Sequence, residues 1–255
     1  MNQRSQSRNQ LVISYMTLRQ AVGWIGTLLP IVLLAGHFFF SSTSLPGSMS
    51  GYYYTNMRNI FVGALCALGV FLAAYDGYDD VDRWITNIAG FSAIVVAMCP
   101  TKPAVCAPQA PKCSPPSVTQ LSTSQQVVGD VHLAFAAITF IALGLMALRF
   151  AKDGPTPDGL STMRRVLAGL GFGRSGGNNH DDVAYRVTGT AILSCVVLAA
   201  LANLLPDPVK THWHPLFWFE ASAVFFFGIS WFVKGRAIRA IAAMIPQRTM
   251  AATNT

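Results

Sequence analysis

Six long apolar segments decide what this chain can fold into. They lie at about 21–40, 57–75, 84–99, 127–149, 185–205 and 213–233. Each reaches or approaches the ~17 residues that a helix needs to cross a bilayer. The third is the most diluted, by Thr86, Asn87 and Ser92. Only 11% of the residues are charged, against about 25% in an ordinary soluble domain. The expectation is an all-α fold: an integral membrane bundle of six transmembrane helices, with a lipid bilayer as its first partner.

The basic residues orient the spans. With the N-terminus in the cytoplasm, the outer side holds Arg58, Lys102, Lys112 and Lys210, and the inner side holds the other 14 of the 18 Lys and Arg residues. That is a positive-inside bias, and an even number of spans puts both termini in the cytoplasm. The net charge of +7 then reflects topology, and a nucleic-acid partner is not expected. The chain divides into a polar segment at 1–20, a transmembrane domain at 21–235 and a basic tail at 236–255. Residues 11–19 read as a short interfacial helix, and RAIRAIAAMI in the tail as a stretch lying along anionic lipid. The first apolar run follows a polar leader and precedes further spans, so it reads as an anchor and not as a cleaved signal.

The loops take sides accordingly. The outer ones are 41–56, 100–126 and 206–212. The second carries six prolines and reads as extended and irregular. Cys106 and Cys113 within it are candidates for a small disulfide loop in an oxidising compartment, with Cys99 as a competing partner. The inner loop 150–184 contains GFGRSGGNNHDD, which has neither a Walker lysine nor a preceding strand. Small residues at helix-contact spacing, Ala89, Ala93 and Ala97 in the third span and Gly63 with Ala67 in the second, suit close packing of helices.

Glu220 is the one glutamate of the chain and lies inside the sixth span. A carboxylate in hydrocarbon costs roughly 3 kcal/mol on insertion scales, and so marks a candidate site whose partner must be found. Other polar residues fall at a similar depth. His37 ends span one, Arg58 opens span two, Asp130 and His132 open span four, and His212 and His214 stand at the mouth of span six. The expected site is an outward-facing cavity formed by Glu220, Arg58, Asp130, His132, Ser50, His37 and the tyrosines Tyr52, Tyr53 and Tyr54. Residues 47–59 form its roof, and Arg58 is the counter-charge for Glu220 or Asp130. In the bland alternative Arg58 snorkels, the tyrosines are interfacial and Glu220 only packs.

A metal site is the sharper variant. His132, His212 and His214 could hold zinc, with Asp130 or Glu220 as fourth ligand or general base. Membrane-embedded zinc amidases such as the alkaline ceramidases use three histidines at such a face. Here, however, His212 and His214 are two residues apart. On a helix they would point about 200° apart, so a shared ion requires a non-helical approach.

The run DGYDDVDR (76–83) holds Asp76, Asp79, Asp80 and Asp82 between spans two and three. Its start is similar to the CDP-alcohol phosphotransferase motif, but the later aspartates of that motif are missing, which removes the transferase reading. A solvated turn capping the third span is the expectation, with a divalent cation or a partner contact as the alternatives. No GxSxG, HExxH or nucleic-acid module is present, no mid-span lysine could carry a Schiff base, and no inverted repeat is visible by eye.

The stretches SGYYYTNMRNIFVGALCALGVFLAAYDGYDD (50–80), GDVHLAFAA (129–137) and WFEASAVFFFGISWFVKG (218–235) resemble a loosely defined group of small bacterial membrane proteins of the six-span Frag/DRAM/Sfk kind. That resemblance implies six spans in a bacterial inner membrane, with polar Tyr-Arg, His and Glu positions in spans two, four and six, and it implies no activity. The expected role is binding or sensing of a lipid headgroup or small polar ligand, or something transport-like. The alternatives are a metal-dependent intramembrane hydrolase acting on lipid and a structural partner subunit of a membrane complex.

Overall fold

The structure, a computed structural model, describes residues 3–41, 44–77, 79–105, 117–118, 120–151 and 180–244. Side chains of 3–16, 104, 117, 180–182 and 235–244 are outside the description. So are Cys106, Cys113 and the glycine-rich inner loop. Seven α-helices are seen among the described residues. They are α1 (Gln3–Phe40), α2 (Arg58–Ala73), α3 (Asp80–Met98), α4 (Thr123–Arg149), α5 (His180–Ala202), α6 (Asp207–Trp213) and α7 (Pro215–Met244). A 3-10 turn, Met49–Tyr54, precedes α2, and two-residue strands β1 (Ala104–Val105) and β2 (Ser117–Val118) pair in parallel.

The long helices close into a ring. α1 packs on α2 and α7, and the ring continues through α2–α3, α3–α4, α4–α5 and α5–α7. Five of them contain stretches long and apolar enough to cross a membrane: Thr17–Phe40, Asp80–Met98, Thr123–Arg149, Val183–Ala202 and Pro215–Lys234. The sixth, α2, is apolar but has 16 residues, or about 24 Å at 1.5 Å per residue. The outside of the ring is apolar as well. Ile31, Val70, Phe91, Ile141, Val187 and Val197 are all exposed. Apolar surface on that scale has to be covered, and lipid is the cover that fits helices of this length.

Two expectations about the ends change. The N-terminal segment is not a separate interfacial helix, because α1 runs unbroken from Gln3 to Phe40. The tail likewise continues α7 as far as Met244. Nothing in either sequence breaks the helix: Gly23, Gly26 and Pro30 all fall within α1 and are absorbed there.

Helix contacts are closest where glycines meet. A Cβ on Gly26 would lie 2.9 Å from Gly228 Cα, and one on Gly228 would lie 2.3 Å from Thr27 N. Gly69 and Gly90 bring α2 and α3 together in the same way, each Cβ reaching the other's carbonyl oxygen, at 2.7 and 2.5 Å. Ala89, Ala93 and Ala97 are buried as their spacing suggests. Gly63 is not a contact residue: it is exposed, with open space where a Cβ would stand.

The two ends of the bundle differ in chemistry. At the lower end Arg19 donates to Tyr75 Oη at 3.0 Å. Tyr75, Trp231, Phe150 and Tyr185 form a run of edge-to-face rings above the buried Lys234. The aspartate run is also here. Asp79 caps α3 by accepting from the Asp82 N–H at 2.8 Å, and the buried Arg149 at the end of α4 binds both Asp79, at 2.7 Å, and Asp82. Arg83 takes Asp76 and Asp80. The capping expectation therefore holds, with an ion-pair clasp between α3 and α4 added to it. The upper end carries the 3-10 turn, α6 and the candidate site.

Candidate functional site

Glu220 sits in the second turn of α7. Its Oε2 accepts from the Met49 backbone N–H at 2.6 Å, and the Ser50 N–H is a second donor facing it. Those N–H groups open the 3-10 turn, where short-helix geometry leaves them without partners inside the turn. Ser48 completes the capping, its Oγ accepting from Gly51 N at 3.1 Å. A carboxylate on one helix thus holds down the loop that joins two others. The expected counter-charge is not its partner. Arg58 is exposed, donates to Tyr53 Oη at 2.6 Å and stacks over that ring at 4.2 Å. Asp130 is exposed as well and pairs with Lys102 at 2.6 Å. Backbone donors satisfy Glu220 within the bundle, and both charged side chains stay near the surface where water solvates them.

His132, two residues after Asp130 and so about 200° round α4 from it, is buried. Its Nδ1 lies 2.6 Å from the Cys99 carbonyl oxygen. A carbonyl only accepts, so Nδ1 carries the proton in this contact, and the neutral ring presents Nε2 as a bare acceptor. Nε2 is buried and has no hydrogen-bond partner among the described residues.

Both residues line the same space. A cavity of about 380 Å³ lies between α4, α5 and α7. His132, Ala136 and Phe140 face it from α4, four residues apart, Cys195 and Ala199 from α5 with Asn203 just past its end, and Leu216, Glu220 and Ala223 from α7. Ser48, Ser50 and Thr101 close its top. A second cavity of about 50 Å³ continues on the inner side of the same pair, since Ser50, His132 and Glu220 line it too. From His132 to Phe140 the larger cavity runs about 12 Å along the helix axis. Its polar groups gather at the upper end, and its lower part is alanine, Phe140, Cys195 and Val196. Among its lining residues Leu133, Ala137, Ala200 and Asn203 are exposed, so it opens sideways between α4 and α5. Lower down those two helices are tight: a Cβ on Gly189 would lie 2.6 Å from Leu148, and one on Gly144 would lie 2.7 Å from Leu193. The cavity occupies the space above these contacts.

The remaining expected residues lie elsewhere. Tyr52 is fully buried beneath the turn, between His37 and Phe217, with ring centroids 6.1 Å from each. Burial pushes its hydroxyl pKa up to about 12. His37 is buried beside it and lines neither cavity. Tyr54 donates to the Thr101 carbonyl at 2.6 Å, tying the turn to the segment after α3. Of the expected set, then, Glu220, His132 and Ser50 share the cavity. Ser48, Thr101 and Asn203 join them, and only Ser48 was inside the expected roof.

The metal arrangement is not formed. No group of three or more His, Cys, Asp or Glu side chains among the described residues could hold an ion. His212 is exposed on α6 against Trp213. His214 ends α6 in a left-handed conformation, φ 47°, before Pro215 starts α7. Its pKa is lowered by burial and further by the neighbouring His212. The chain does leave helical geometry here, as a shared ion would need, but neither imidazole joins His132 in the cavity.

Compared with protein-family models, curated proteins and solved structures, the chain matches none.

Proposed function

We propose that this is a six-span protein of a bacterial inner membrane, with both termini in the cytoplasm, which binds or senses a ligand in the outer half of the bundle. In this reading α2 is the sixth span. Its shortfall against the ~30 Å hydrocarbon core costs only fractions of a kcal/mol per Å, relieved by local thinning or snorkelling of flanking residues. The described basic residues at the lower end, Arg19, Arg83, Arg149, Arg186 and Lys234, against Arg58, Lys102 and Lys210 at the upper end, support the cytoplasmic assignment of the lower one.

The observation that carries the functional reading is the shared cavity. Two acceptors carried by different helices, Glu220 and the partnerless Nε2 of His132, face one space of small-ligand size. Pockets for small molecules run from ~300 to 1,000 Å³, mostly apolar with a few convergent polar groups. Mass spectrometry of molecules retained after gentle purification tests the reading. A stoichiometric lipid or small molecule is expected in the wild type and is lost in Ala199→Phe, which fills the cavity. An identical retained set in both proteins contradicts it.

A further inference from the structure

We propose that the ligand is a single-chain amphiphile, which reaches the cavity from the bilayer and presents a hydrogen-bond-donating head, an ammonium or a hydroxyl, to Glu220 and His132. This rests on the cavity being a ligand site and adds the class of ligand.

The head follows from the sign of the lining. Glu220 offers a carboxylate, and His132 offers Nε2 as an acceptor because Nδ1 is committed to the Cys99 carbonyl. No lysine or arginine is among the lining residues. The nearest described cations at that end are occupied, Lys102 by Asp130 and Arg58 by the Tyr53 ring and hydroxyl. A carboxylate, phosphate or sulfate head would bring an anion beside Glu220 with no counter-charge among the lining residues. A head that donates supplies the partner that His132 Nε2 lacks and adds to the backbone bonds that Glu220 already accepts.

The tail follows from the gradient. Below the polar end the walls are Ala136, Phe140, Cys195, Ala199 and Ala223. The cavity runs about 12 Å in that direction, and its volume of about 380 Å³ lies near the small end of ligand pockets. One chain suits that shape better than two. The way in follows from the exposed lining. Leu133, Ala137 and Ala200 flank an opening between α4 and α5, on the surface that lipid covers. A ligand already dissolved in the membrane arrives there with its tail in hydrocarbon throughout.

The full-length protein in zwitterionic nanodiscs is titrated with decylamine, decanol, decanoate and decyl phosphate, and with ethanolamine as a head lacking a tail. Specific binding is the part abolished by Ala199→Phe, with Ala199→Leu as a milder version should the larger side chain impair folding. Decylamine and decanol are expected to bind at least about tenfold more tightly than decanoate or decyl phosphate, the size of one charge-assisted hydrogen bond. Glu220→Gln removes most of the amine's advantage over the alcohol. Anionic probes that bind as tightly as the amine, and are blocked by Ala199→Phe, overturn the head assignment and leave the cavity a ligand site. Blockable binding of ethanolamine without that of decylamine overturns the amphiphile and likewise leaves the site. No blockable binding of any probe overturns both.

Discussion

Glu220 Oε2 accepts the backbone N–H of Met49 at 2.6 Å, across 171 residues of sequence. The contact fastens the 3-10 turn to α7 and places Ser48 and Ser50 over the cavity. It is a strong kind of bond, an ionisable acceptor on backbone donors in a site of low dielectric.

Glu220→Ala leaves the Met49 and Ser50 N–H groups without their acceptor. The cost of such an unsatisfied group is about 1–3 kcal/mol. Amide hydrogen exchange over residues 49–54 is therefore expected to accelerate by roughly ten- to a hundredfold. Glu220→Gln keeps an acceptor oxygen and should show a smaller change. Unaltered exchange in the alanine variant would mean that the turn holds itself in place.

The clasp at the other end should dominate stability. Arg149 is buried and binds Asp82, also buried, together with Asp79. Arg149→Met strands a buried carboxylate and is expected to cost about 3–5 kcal/mol. Adding Asp82→Leu should restore part of the loss, because the stranded charge is gone. Thermal melting of the single and double variants in detergent measures both effects.

Glycines at the crossings and the glycine facing outward should respond in opposite directions. Gly228→Ala and Gly90→Ala drive a methyl group into backbone atoms of the neighbouring helix, and about 1–3 kcal/mol of destabilisation follows from such overpacking. Gly63→Ala meets open space and should be neutral or stabilising by up to about 1 kcal/mol, from helix propensity. The same melting series resolves them.

Tyr52 gives an alkaline signature. Its hydroxyl titrates at about 12 in the folded protein, against an ordinary 10.0. Above the ordinary value the unfolded chain releases this proton and the folded chain retains it. The contribution of Tyr52 to stability is therefore complete below pH ~10 and is lost as pH rises towards 12. Tyr52→Phe should flatten that part of the stability profile. A profile unchanged by the substitution would show that the phenol titrates normally.

Much of the architecture was legible because hydrocarbon imposes a length. The apolar runs mark the long helices to within a few residues, except where α1 begins early at Gln3 and α7 runs on to Met244, and the rarity of Glu220 in such a run marks it as a site residue. Partner choice was not legible. Charge matching suggested Arg58 for Glu220, but a backbone N–H has no sequence letter, and the turn that exposes two of them is formed by Ser48 capping Gly51. Likewise His132 and Asp130 are two residues apart in the sequence and face different surroundings, one the cavity and the other Lys102. Helical periodicity could have separated them. The cavity itself arises where α4 and α5 stand apart above the Gly144 and Gly189 contacts, a matter of three-dimensional packing. Gly63 shows the converse: a small-residue spacing identical to a contact motif, on the lipid face.

The most direct test is an experimental density map of the protein in nanodiscs. The account predicts density for a bound molecule between α4, α5 and α7, with its polar end within hydrogen-bonding distance of Glu220 and His132 Nε2. A map in which side chains fill that space, or in which Glu220 has left Met49 and points to lipid, would contradict it.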